Sequence, residues 1–218
     1  MFPARLAVAA LSAAAFSTAV CAGERYGRLT VDVLIDGPGQ SRAGPDHATY
    51  VTAQSVHMAF TLLASSAGDA IHYSPTNACN GEFAATIDDS VAGLFVDGGE
   101  MRQFAGRTTA RVKGDALQVS TMCRGTVTID RAGKLSARLA LPRIDGHVVN
   151  TEAGRVVYAS RSEVLIDQQA WKWAVAQLQG AARGGVQRTV LKVPAGGTMG
   201  GKGEHQLNVQ VRWAFAPK

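Results

Sequence analysis

Residues 205–216, HQLNVQVRWAFA, alternate between apolar and polar side chains with a period of two. This alternation is typical of a β-strand with one buried face, because successive side chains of a strand point to opposite sides of the sheet. A shift of one residue would place every apolar side chain in water, so the pattern predicts which face is buried. The side chains predicted to be buried are Leu207, Val209, Val211, Trp213 and Phe215, and those predicted to be exposed are Asn208, Gln210 and Arg212.

The same alternation recurs in residues 28–36, 54–63, 107–113 and 135–141, and turn-forming residues separate these segments. Gly37-Pro38-Gly39 is expected to end the first strand and to begin a loop that lasts to about His47. Residues 117–123 are interpreted as a further strand, whereas residues 83–95 are compatible with a short helix. Strands at both ends of the chain, with hairpin spacing between them, predict a mostly β fold, either an antiparallel sandwich or a partly open barrel.

Residues 167–183 change to helical spacing. Asp167 can cap a helix, because its carboxylate accepts a backbone N–H of the first turn. Apolar residues then recur every three or four positions, at Trp171, Ala174, Val175 and Leu178. The glycine pair at residues 184–185 is expected to stop the helix. The sequence therefore predicts one amphipathic helix near residues 167–183.

Residues 1–22 have the pattern of a secretory signal peptide. Arg5 precedes an apolar run, and small residues occupy the positions before Gly23 where signal peptidase cleaves. Cys21 leaves open a second interpretation, a lipoprotein signal in which that cysteine is lipidated and retained. We expect a mature chain of residues 23–218, a single β-rich domain without a transmembrane segment, that is periplasmic or secreted.

Two cysteines remain after this cleavage, Cys79 and Cys123. An even number of cysteines in an oxidising compartment predicts a disulfide bond between them. Neither has a second cysteine or a histidine at the close spacing of a metal site.

Charge is unevenly distributed along the chain. Residues 23–99 contain three basic and nine acidic residues, a net charge of −6, whereas residues 100–143 contain nine basic and three acidic residues, a net charge of +6. Arg107, Arg111 and Lys113 lie on one side of a predicted strand, and Lys134 and Arg138 of a later hairpin are expected to extend this basic face. Such a face can bind an acidic polymer or an anionic component of the cell envelope, although it is also compatible with a solvated outer sheet face.

The sequence contains no recognisable catalytic, metal-binding or cofactor-binding motif. The five histidines form no zinc-binding pair, no serine lies in a G-x-S-x-G elbow, and the glycine-rich residues 194–203 lack the Lys-Ser/Thr of a phosphate loop. Aromatic residues do not interleave with the basic ones, which argues against nucleic acid as a partner. We therefore expect an exported, non-enzymatic binding or envelope-associated protein. The alternatives are a hydrolase or lyase that acts on cell-envelope material through His57 or His147, and a lipid-carrying half-barrel.

Overall fold

A computed structural model describes residues 26–67, 70–75, 80–180, 183–194 and 202–217 of the 218-residue chain. The described residues form strands β1 (Tyr26–Ala43), β2 (Asp46–Ala67), β3 (Ala70–Pro75), β4 (Gly81–Asp97), β5 (Glu100–Lys113), β6 (Thr126–Ile129), β7 (Leu135–Arg138), β8 (Ile144–Glu152), β9 (Arg155–Val164), β10 (Gly184–Pro194) and β11 (Lys202–Pro217), with helices α1 (Ala116–Met122) and α2 (Gln168–Gln177).

All the strands belong to one antiparallel sheet, which is not closed into a barrel. Its main path runs β10-β11-β1-β2-β4-β5-β8-β9, and β3, β6 and β7 form a branch that pairs with the end of β2. The branch approaches helix α2, because the backbones of Leu135 in β7 and Gly180, just after α2, are hydrogen-bonded to each other at 2.7 and 3.0 Å. The prediction of a mostly β fold, an antiparallel sandwich or a partly open barrel, is confirmed.

The core lies on one side of this sheet, called here the inner face, at the end where α2 packs on β1, β10 and β11. Strands β1, β2, β4 and β11 contribute alternate residues to it, as the alternation requires, whereas β9 contributes only Val164. The last strand follows its prediction, since Val209, Val211, Trp213 and Phe215 are all buried. The other side of the sheet, the outer face, carries Asn208 and Arg212 and is solvent-exposed.

Helix α1 corrects the prediction of a strand at residues 117–123. The Asp115 side chain accepts a hydrogen bond from the Gln118 backbone, and the Gln118 side chain accepts one from the Asp115 backbone. This reciprocal capping box satisfies two of the N–H groups that a helix leaves without partners at its first turn. The helix buries the side chain of Met122.

Three further boundaries differ from the sequence-based ones. Strand β1 does not stop at Gly37-Pro38-Gly39 but continues to Ala43, and the turn to β2 lies at residues 44–45. The helix considered for residues 83–95 is wrong, because these residues belong to β4. Helix α2 occupies Gln168–Gln177 and thus ends before residue 183. Neither α1 nor α2 has the length and apolar composition to cross a lipid bilayer, which holds for the described part of the chain.

Candidate functional site

The inner face changes from apolar to polar where the core ends. Along β2 the inward side chains Met58 and Val56 are followed by Gln54, Thr52 and Tyr50, while the alternation itself persists. The polar positions of β2 and its neighbours border a concave cleft of about 430 Å³, next to the N-terminus of α2. We call it the inner cleft, and define it by Tyr50, Gln54, Asp89, Thr108, Asn150 and His205.

Gln54 joins two strands and a helix at the floor of the inner cleft. Its side-chain Nε2 donates to Asp89 Oδ2 of β4 at 2.6 Å, and its Oε1 accepts from the backbone N–H of Asp167 at 2.9 Å. Asp167 in turn caps α2 by accepting from the Ala170 N–H at 2.8 Å. Gln54 itself is only 7% exposed, so both hydrogen bonds are shielded from water. The network fixes the helix N-terminus relative to β2 and β4.

Burial raises the pKa of the Asp89 carboxyl above its ordinary value. The hydrogen bonds from Gln54 and from the backbone N–H of Ala53 act in the opposite direction, and the nearby carboxylates of Asp88 and Asp167 add to the rise. A buried carboxylate is tolerated when hydrogen-bond donors compensate for lost hydration. Asp89 therefore keeps an ionisable group at the cleft floor at an energetic cost.

The rings of His205 and Tyr50 form one wall of the inner cleft. Their ring centroids are 4.7 Å apart at an interplanar angle of 55°, and the Tyr50 hydroxyl lies 3.1 Å from Ser41 Oγ. Gly39 lies between them in the sheet, and a Cβ at this position would overlap the His205 ring. A glycine is thus required for the ring to lie against the backbone of β1.

The surroundings of the His205 imidazole favour its neutral form. Desolvation lowers its pKa below the ordinary value, and the Asp167 carboxylate opposes this only in part. Its Nε2 atom is buried and has no hydrogen-bond partner among the described residues. A buried polar atom of this kind calls for a partner, because it has lost its hydration without replacement.

The inner cleft does not have the ligand set of a metal site. No group of three or more His, Cys, Asp or Glu side chains within the described ranges is arranged to hold a metal ion.

The predicted basic residues do not all lie together. Arg107, Arg111 and Lys113 lie on the outer face of β5 as predicted. Lys134 and Arg138 belong to the turn before β7 and to β7, and the path from β5 to β7 passes through β4, β2, β3 and β6. The structure therefore brings three of the five residues onto one strand and places the other two on the branch of the sheet.

The charge of Arg107 is already compensated. Its Nε and Nη2 atoms donate to the two carboxylate oxygens of Asp88 at 2.9 and 2.8 Å, across the β4–β5 pair. This fork lowers the pKa of Asp88 and raises the pKa of Arg107. Arg111 and Lys113 are exposed, and neither is within ion-pair distance of an acidic group of the described residues. On β5, the charges of the outer face that lack an ion pair among the described residues are therefore those of Arg111 and Lys113.

The histidines considered as catalytic groups lie on the open outer face. His57 Nδ1 is 2.6 Å from Asp32 Oδ1, and the two side chains are 38% and 43% exposed. Their cross-strand neighbours are Ala84 on β4 and Arg212 on β11. His147 is opposite Arg161 on β9. The pair His57–Asp32 orients an imidazole on an exposed sheet surface rather than within a cleft.

The predicted disulfide bond stays a prediction. Cys123, just after α1, is buried with 3% exposure, and Cys79 lies outside the described residues. The signal peptide and Cys21 also lie outside them.

Comparison of the chain with protein-family models, with curated proteins and with solved structures gives no match.

Proposed function

We propose that this chain is an exported binding protein that holds a hydrophilic ligand in the inner cleft. The observation that carries the proposal is the Gln54–Asp89–Asp167 network, in which a nearly buried amide fixes a carboxylate and a helix end at the cleft floor. Buried polar groups are costly unless they are hydrogen-bonded, and a site whose groups are already oriented loses less entropy when a ligand binds. The network supports a preorganised binding site.

The shape and lining of the inner cleft support the same proposal. Its volume of about 430 Å³ is within the range of small-molecule sites, which is roughly 300–1,000 Å³. Polar side chains converge on it from β2, β4, β5, β8 and β11. Val51, Val91, Leu165 and Ile166 also line the cleft, so it combines apolar surface with a few polar groups that can orient a ligand.

Thr108 and Thr109 provide a matched test. They are neighbours on β5, but Thr108 borders the inner cleft and Thr109 lies on the outer face opposite Asp88. We expect Thr108→Val to weaken binding of soluble cell-envelope fragments by the mature protein, measured by titration calorimetry, and Thr109→Val to leave it unchanged. Equal effects of the two variants would refute the inner cleft as the binding site.

A second candidate is binding of an anionic polymer to the outer face of β5. Arg111 and Lys113 favour it, because both are exposed and without an ion pair among the described residues. Exposed charges are screened beyond about 8–10 Å at physiological ionic strength, so such binding must weaken steeply with salt. We expect the double variant Arg111→Ala, Lys113→Ala to abolish binding to a heparin column at low salt. Retention that is unaffected by the double variant would exclude this face.

A further inference from the structure

We infer that the ligand of the inner cleft is a short, uncharged oligosaccharide, whose hydroxyl groups bond to Asp89, Thr108 and Asn150. This inference rests on the proposed binding function and adds the chemical class of the ligand. It depends on the charge, the unused hydrogen-bonding capacity and the aromatic wall of the cleft.

The charge at the inner cleft disfavours anions. Asp89 lies at the cleft floor, and the Asp167 carboxylate is near enough to raise the pKa of Asp89 and to oppose the lowering of the His205 pKa. Arg107 is at the rim, but its positive charge is paired with Asp88, whose two carboxylate oxygens accept hydrogen bonds from its Nε and Nη2. An anionic ligand would therefore face two acidic groups with no free cation among the cleft residues that the structure describes.

Asp89 has acceptor capacity that the protein does not use. Its Oδ1 accepts from the Ala53 N–H at 3.2 Å, and its Oδ2 accepts from Gln54 at 2.6 Å. A carboxylate offers about four lone-pair sites, so roughly two remain for a ligand. Hydroxyl groups donate to such sites without bringing a charge into a partly desolvated cleft. Hydrogen bonds to a charged acceptor are the stronger kind.

His205 offers the cleft a ring surface rather than a hydrogen bond. Its Nε2 atom is buried and has no partner among the described residues, and this edge of the ring lies against the β1 backbone at Gly39. A ligand in the inner cleft therefore contacts the ring and bonds to the polar groups of the other strands.

The aromatic wall suits the apolar side of a sugar ring. Tyr50 and His205 meet at 55° and form a corner rather than a flat stack. Sugar rings have C–H groups on one face and hydroxyls around the edge, so the corner covers the former while Asp89, Thr108 and Asn150 remain available for the latter. Aromatic surface with a few convergent polar groups is the usual composition of a small-molecule site.

Asp89 and Thr109 allow a controlled experiment, because Asp89 lies at the floor of the inner cleft and Thr109 lies on the outer face of β5. The probes are three trisaccharides: neutral chitotriose, the cationic fully deacetylated chitosan trimer, and the anionic trigalacturonate. Binding to the mature wild-type protein and its variants is measured by saturation-transfer NMR and calorimetry. We expect chitotriose alone to bind, Asp89→Asn to weaken it at least about tenfold, and Thr109→Val to leave it unchanged.

Each other outcome decides against the inference. Preferential binding of the charged trimers, with sensitivity to Thr108→Val, would overturn the neutral-sugar assignment while the proposed binding function stands. The same holds if no trimer binds but envelope fragments bind in a Thr108-dependent manner. If chitotriose binds Asp89→Asn and Thr108→Val as tightly as it binds the wild type, both the inference and the inner cleft are wrong. Should Asp89→Asn fail to fold, Asn150→Ala at the cleft rim replaces it with the same expected direction.

Discussion

Replacing Gln54 by Glu keeps the size of the side chain and changes only the amide NH₂ group into a carboxyl oxygen. The new carboxyl would lie where Nε2 now donates to Asp89 at 2.6 Å. Two carboxylates at that distance would repel by roughly 6 kcal/mol with an effective dielectric constant of about 20. Keeping one proton on the pair at pH 7 costs roughly 4 kcal/mol, given about 1.36 kcal/mol per pH unit and an ordinary glutamate pKa of about 4.3. Protonation of one carboxyl of the pair therefore costs less free energy than the repulsion between two carboxylates.

The protonated glutamate can reproduce the native contacts. Its O–H donates to Asp89, and its carbonyl oxygen accepts from the Asp167 N–H as the Gln54 Oε1 does. The shared proton gives the pair a raised pKa, so the stability of the variant is highest below pH 4 and is lost as the pH rises. We expect the free energy of unfolding of Gln54→Glu to equal that of the wild type at about pH 4 and to be roughly 4 kcal/mol lower at pH 7.

Urea unfolding followed by tryptophan fluorescence at several pH values between 4 and 8 measures this difference. Gln206→Glu is the control, since Gln206 is exposed on β11 and surface substitutions usually change stability by no more than about 0.5 kcal/mol. Parallel stability curves for Gln54→Glu and the wild type across this range would refute the buried hydrogen bond between Gln54 and Asp89.

Three further substitutions test other contacts by urea unfolding. Asp89→Asn should gain stability relative to the wild type as the pH rises above about 4, because the raised pKa makes ionisation of Asp89 costly; a difference independent of pH would contradict this. Gly39→Ala should cost about 1–3 kcal/mol and shift the His205 ring signals in NMR spectra, since its Cβ would overlap that ring, and unchanged signals would argue against the packing. Asp115→Ala should cost about 1 kcal/mol through loss of the α1 cap, and a cost near zero would contradict the capping box.

Strands were predictable where alternation is uninterrupted, because burial of one face is recorded in the chain itself. The end of β1 was not. Proline lacks a backbone N–H and usually avoids central strands. In β1 the pairing with β11 omits Gly37 and Pro38, but the pairing with β2 continues through both residues, opposite Thr52 and Val51. One intact ladder is enough to carry the strand past the proline.

Helix α1 shows a different limit of the alternation pattern. Residues 117–123 alternate in polarity over too short a length to exclude a helix. The deciding feature is the spacing of Asp115 and Gln118, which fits the capping box and was recognisable in the sequence. Local capping chemistry outweighed a seven-residue polarity pattern.

The inner cleft could not be predicted because its residues are distant in sequence. Gln54 and Asp167 are 113 positions apart, and His205 comes from the last strand. Motif spacing detects only local arrangements. One signal was available in the sequence. The inward positions of β2 become polar at Gln54 while the alternation persists, which indicates that the hydrophobic core does not extend over this part of the inner face. The cross-strand pairing of Asp88 with Arg107 likewise needs the register of β4 and β5.

Strand β1 lies between β2 and β11, so the first described strand needs the last one as its neighbour. Ribosomal synthesis delivers β2 soon after β1, but β11 only after β3 to β10 have been made. Until then one edge of β1 has no ladder, and Val209, Val211 and Trp213 are missing from the core. Pairing β1 with so distant a strand requires the closure of a long loop, which slows folding. A nascent chain of this kind would stay open to chaperones and proteases until the sixteen residues of β11 had emerged.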